Sequence, residues 1–396
     1  MKHNEEEYTE HTHKLKAVLK GIRLAIVVFA VATVSLLVLF NIDQINMDNI
    51  RRLLAKIDFS INRPFTSANA MVTFNGSEQN CYAEYKSGLA VLSADGLKVF
   101  DDKGNEFTSQ QTIYHSPSMQ TNKKYILTYD RGGKTLNIAN SFALVFTKTF
   151  DNTILNASMS ENGAFVVVTQ YEGYKALVTV FDSSFKEVFK FYSADKYIID
   201  ADISPDGAYL AAATLASEEA AVTSGITIYK IGTESPISQI PIAEGVLFDI
   251  KYKSSGNICA ITDKGAVFIS KDGKTEKELS FDGMILNSYA DNNDKYTAFI
   301  TSASTSGKTA IVTITDEKGN IWTKGETDGF VISSSFSANG LAILQQERVI
   351  LAAFSSKEGI KNLKTIPIKN DYERILAGDG NAFLIDGNYA DIISLK

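Results

Sequence analysis

A strand, a polar turn and an apolar strand recur eight times between Tyr82 and Asp386. ADISPDGAYLAAAT from Ala201, ASMSENGAFVVVTQ from Ala157 and SSFSANGLAILQQE from Ser334 are three of the copies. Aligned on Gly207, the copies place phase marks at Gly88, Lys123, Gly163, Gly207, Gly256, Asp294, Gly340 and Gly380, at intervals of roughly forty residues. A period of that length means units that cannot bury their apolar faces alone and must stack on one another.

Inside a unit the pattern is all β. AFVVVTQ, KALVTVFD and EVFKFYS follow one another with YEGY and SSFK between them, which together with the strand before AFVVVTQ makes four strands joined by hairpin turns. Asp-x-x-Gly or Asp-Gly at the hairpin tips supplies the positive φ that a tight turn needs. Four-stranded units repeated radially form an all-β propeller. The last repeat, from Tyr372 to Lys396, holds only three strands, and Ala68 to Gly76 reads as a lone outer strand before the first complete repeat. If the two segments join, the ring closes with eight blades and few free edges. Seven blades is the alternative, with one weak repeat absorbed into a loop.

The 23 Phe and 17 Tyr against 6 Pro suit strands. The net charge is −7 and the body has no basic run, so the electrostatic footprint of a nucleic-acid binder is missing. Cys81 and Cys259 are the only cysteines, too few for a disulfide framework or a cysteine zinc site, and both read as small core residues.

Residues 24–40, LAIVVFAVATVSLLVLF, are uncharged and lack a polar face. Extended to 22–42, with Arg23 able to reach the interface, they approach the length a bilayer core requires. No small-x-small cleavage site ends the run, so an uncleaved single-pass anchor is expected rather than a signal peptide. Lys14, Lys16, Lys20 and Arg23 crowd its N-terminal flank, which places residues 1–21 in the cytoplasm and the rest outside the cell membrane. His3, His11 and His13 fall in that polar tail and read as part of a disordered segment. Within 43–64, Asp48 caps an expected short helix with Ile50, Leu53, Leu54 and Ile57 on one face. The propeller is expected over 65–396.

The motifs carry little chemistry. Asp206 shares its phase with Asn162, Ser255, Asn293, Asn339 and Asp379, a series of turn formers, so a turn role is expected. Asp202 lies one strand position further in and is a channel candidate, with a solvated strand residue as its plainer reading. His115 is the one histidine of the body and is expected on the first strand of its repeat, within reach of the channel. No Gly-x-Ser-x-Gly elbow occurs. The stretch STSGKTAIVT lacks the upstream glycine and the helix of a phosphate loop. ADNNDKY and GDGN lack the spaced donors of a calcium loop. No catalytic, cofactor-binding or metal residue is assigned.

The Ser-Pro-Asp-Gly element and its copies resemble the repeats of WD40-like and TolB-like propellers, though no Trp-Asp dipeptide ends a strand. The segment KGNIWTKGET resembles the repeat of eight-bladed quinoprotein dehydrogenases, but Trp322 is the only tryptophan, so the cofactor site of those enzymes does not carry over. Anchor and propeller together resemble a family of single-pass membrane proteins of clostridia and their relatives that has no established activity. The resemblance implies a fold and a location and assigns no catalytic residues. The expectation is a membrane-tethered, extracytoplasmic, non-catalytic module that binds a protein partner in the cell envelope. A glycan lyase or oxidoreductase-like enzyme using channel carboxylates is the alternative.

Overall fold

The computed structural model describes residues 71–395, apart from 78, 219–220, 234, 293–294, 306–307 and 356–358, together with 28–29. The expected tail (1–21), membrane helix (22–42, except Val28 and Phe29) and juxtamembrane helix (43–64) lie outside the described residues. Among the described residues no helix is long and apolar enough to cross a membrane. Pro64–Lys396 forms a unit distinct from Met1–Arg63.

Eight antiparallel four-stranded sheets make up the propeller. Blades 1 to 7 run in simple chain order over 81–111, 117–149, 154–193, 197–242, 247–280, 285–328 and 331–367. Blade 8 takes three strands from 374–394 and its outermost strand, Met71–Thr73, from the other end of the domain. Met71, Val72 and Thr73 pair with Asp391, Ala390 and Tyr389, and Val72 is buried. The eight-bladed reading and its closing strand therefore hold.

The apolar residues lie in sheets between the blades. Each of the eight interfaces between adjacent blades has its own cluster of buried side chains. Between blades 2 and 3, for example, Phe165 and Phe181 stack with ring centroids 4.5 Å apart. Both faces of a sheet are thus apolar, which is why the middle strands read as continuous runs such as AFVVVTQ.

In blades 3 to 7 the innermost strand carries a β-bulge at the same place, where Ile154, Ile198, Leu247, Leu286 and Val331 are each followed by one extra residue. The buried positions therefore step by three and then by two, as in Ile198, Ala201 and Ile203. The bulge turns Asp200 and Asp202, and their counterparts in the other blades, away from that buried set.

Candidate functional site

The central channel widens into a cavity of about 580 Å³ lined by the innermost strands of blades 2 to 6. Its acidic groups are Glu161, Asp200, Asp202 and Asp249, and its basic groups are Arg131 and Lys251.

Asp202 is half-buried and fully engaged. Its Oδ1 accepts from the Ser158 hydroxyl of blade 3 at 2.7 Å and from its neighbour's backbone Ile203 N–H at 2.9 Å. Its Oδ2 accepts from the Tyr252 N–H of blade 5 at 2.8 Å. Asp200 repeats the pattern one step up the strand, accepting from the Ile250 N–H at 3.0 Å. Each innermost strand presents unpaired N–H groups towards the preceding blade, and these two carboxylates satisfy two of them. Blade 7 does the same with hydroxyls: Ser333 and Ser335 accept from the N–H groups of Ile375 and Ala377 in blade 8, at 3.3 and 3.0 Å. The same register therefore hosts Asp or Ser, and the job common to both is to clasp the next blade.

Burial pushes the Asp202 carboxyl up to about 6, against the pull of its three donors. Burial also raises Asp200 well above the usual carboxylate range, with the charge of Asp249 adding to it. Asp249 accepts from the Tyr289 hydroxyl at 2.7 Å and pairs with Lys251 at 3.7 Å. The neighbouring Asp249 charge in turn raises the Lys251 ammonium above its ordinary value.

One blade interface holds a charge pair that the repeat pattern does not announce. Lys253 opens the turn after the innermost strand of blade 5, where blades 3 and 4 have Ser160 and Ser204. Its side chain is fully buried and bonds Asp291 and, at 2.6 Å, the Thr297 hydroxyl, both in blade 6. Asp206 sits in the equivalent turn of blade 4. It accepts from the Ser204 hydroxyl at 2.6 Å and the Ala208 N–H at 3.0 Å, beside Gly207 at φ 73°. The Ser204 bond holds its carboxyl below the usual range.

His115 is not on an innermost strand. It lies in the connection from blade 1 to blade 2, with its side chain 87% exposed and Nδ1 3.2 Å from Asp130. Asp130, the last residue of the second strand, also accepts the backbone N–H groups of His115 and Ser116, so its carboxylate shapes the connection. His115 does not line the cavity, and the structure does not bring it together with Asp202. Asp202 does line the cavity, but as a held inter-blade residue rather than a solvated one. Among the described residues no three His, Cys, Asp or Glu side chains gather as a metal-binding group.

A second feature lies on the rim. In an antiparallel meander the hairpins between second and third strands share a face with the blade-to-blade connections. On that face Tyr171 and Tyr174 flank the hairpin tip of blade 3, Tyr192 is the penultimate residue of its last strand and Tyr197 begins blade 4. These four are 37–53% exposed. The rings of Tyr171, Tyr174 and Tyr192 lie 4.9–5.9 Å apart, and Lys175 Nζ sits 4.7 Å over Tyr197. Exposed Val222, Val246 and Ile285 continue the same face across blades 4 to 6.

Comparison with solved structures agrees on the fold. The chain is similar to the Dos1 propeller (TM-score 0.55, 9% identity, covering 84% of this chain and 95% of that one). It is similar to Sqt1 of Chaetomium thermophilum, solved bound to the N-terminus of ribosomal protein L10 (0.54, 11%, 83% and 100%). It is also similar to BamB from Moraxella catarrhalis (0.50, 10%, 83% and 99%). At such identities the likeness is one of fold. No curated protein matches the chain in sequence. Residues 61–395 match a family of unknown function, DUF5711, and with that span covered the chain belongs to it.

Proposed function

We propose that this protein is a non-catalytic scaffold that docks a protein partner on the tyrosine-rich face of blades 3 to 6. The carrying observation is the contiguous set of Tyr171, Tyr174, Tyr192 and Tyr197, which leaves large rings half in water on one side of the ring. Tyrosines give broad contact area at low conformational cost and are enriched where proteins meet. Sqt1, of like fold, was solved with a bound protein segment, which supports the reading by analogy. The held state of Asp202 supports it too, because both of its carboxylate oxygens are spent on neighbouring blades.

The apolar run 22–42 tethers the propeller outside the cell membrane in this reading, with residues 1–21 in the cytoplasm. Capture of the tagged full-length protein from gently solubilised membranes tests the docking face. A stoichiometric partner should be recovered with the native chain and lost with Tyr174→Ser/Tyr192→Ser at equal abundance. Equal recovery with both would remove the docking face from the argument. Protease added to intact spheroplasts should degrade the propeller; protection would reverse the orientation.

A further inference from the structure

The channel cavity has a chemistry of its own. At about 580 Å³ it falls in the range of small-molecule sites. Four acids face two bases there, and one of those bases is already matched: Lys251 pairs with Asp249 and lies 5.8 Å from the Tyr289 ring centre. The walls thus show how they hold an ammonium group, with a carboxylate on one side and an aromatic face on another. Asp200 and Asp249 remain close enough for the charge of one to hinder ionisation of the other, a repulsion that a further positive charge would relieve.

Two lining residues also have buried polar atoms without a hydrogen-bond partner. Asn156 of blade 3 occupies the register position that Asp200 holds in blade 4 and Asp249 in blade 5, and its Oδ1 accepts from nothing, unlike their oxygens. Tyr252 is 6% exposed and its hydroxyl is likewise unpartnered. Phe248, at the bulge of blade 5, leaves its ring half exposed on the cavity wall. Surplus carboxylates, an idle acceptor and a bare ring call for a ligand made of donors and positive charge.

We propose that the channel binds a small organic cation bearing a primary ammonium or guanidinium group, seated among Asn156, Asp200, Asp249 and Phe248. The site is separate from the rim face and stands whether or not that face docks a protein. Calorimetric titration of the full-length chain in detergent with L-arginine amide tests it, with N-acetylglucosamine as the neutral comparator. Saturable binding of arginine amide is expected, weakening with salt, and none of the sugar. Asp249→Asn should weaken binding by about tenfold or more, the scale of one close charge contact in a partly screened site. Lys251→Met should tighten it by a similar factor, since it removes a competing cation and frees Asp249. Should Asp249→Asn unfold, Phe248→Ala and Lys251→Met still give opposite predicted shifts. Absence of saturable binding, equal binding of the sugar, or Asp249 and Lys251 variants moving affinity in the same direction would overturn the proposal.

Discussion

The clasp between blades 4 and 5 predicts an unusual response to acid. The Asp202 carboxyl stands at about 6 in the folded protein against an ordinary 3.8. A folded value above the unfolded one means that the native state holds more protons between about pH 4 and pH 6. Stability should therefore rise as pH falls through 6, and the gain should be complete near 4. Two pH units at about 1.4 kcal/mol each give roughly 3 kcal/mol for this one group. Asp200 is shifted the same way and adds to it. Asp206 and Asp272 are shifted down, so their contributions are lost only below the ordinary carboxylate range and leave this window clear. The assay is urea denaturation of the full-length chain at pH 7, 6 and 5. Asp202→Ser, which copies Ser335 of blade 7, should shrink the rise, and Asp200→Ser/Asp202→Ser should shrink it further. A stability that is flat or falls from pH 7 to 5, or a rise that the double variant keeps in full, would refute the reasoning.

Three other outcomes follow from single contacts. Lys253→Met should cost about 3–5 kcal/mol by leaving Asp291 buried without its cation, and Lys253→Met/Asp291→Leu should recover most of it in the same denaturation assay. Gly319 has φ 83° and a Cβ there would press into the Phe268 ring of the adjacent blade, so Gly319→Ala should lower stability by about 2–4 kcal/mol. His115→Ala should change the unfolding free energy by less than about 0.5 kcal/mol, because its ring is largely in solvent.

Period and turn chemistry made the fold legible. Gly163, Gly207 and Gly256 mark the same turn in three blades, each at positive φ, and local rules of that kind survive divergence. Ala68 to Gly76 could be assigned to the last blade because three strands at the other end lacked a fourth. The site was much less legible, and the bulge explains why. Strict alternation along YIIDADI puts Ile198 on one face with Asp200 and Asp202, whereas the extra residue at Ile199 moves Ile198 to the side of Ala201 and Ile203. The spacing of three and then two between buried residues was the available signal, and it resembles a helical step more than a strand. Lys253 and Asp291 lie 38 residues apart, and only the exact blade register brings them together. His115 was misplaced because the first strand of its blade begins only at Pro117, and the Asp130 carboxylate of the second strand holds the His115 and Ser116 N–H groups in the connection before it.

The closing strand also sets a timetable. Met71 meets Asp391, over three hundred residues further along the chain. Seven blades can form in order as the polypeptide emerges, but the eighth waits for Tyr389–Ser394. Until then the ring is open, with the seam of blade 8 presenting unpaired edges to any chaperone or protease nearby. A chain broken off before that strand would keep nearly all its blades and still lack closure. Quality control of this protein can therefore read its completeness at one place, the three-residue strand that joins its two ends.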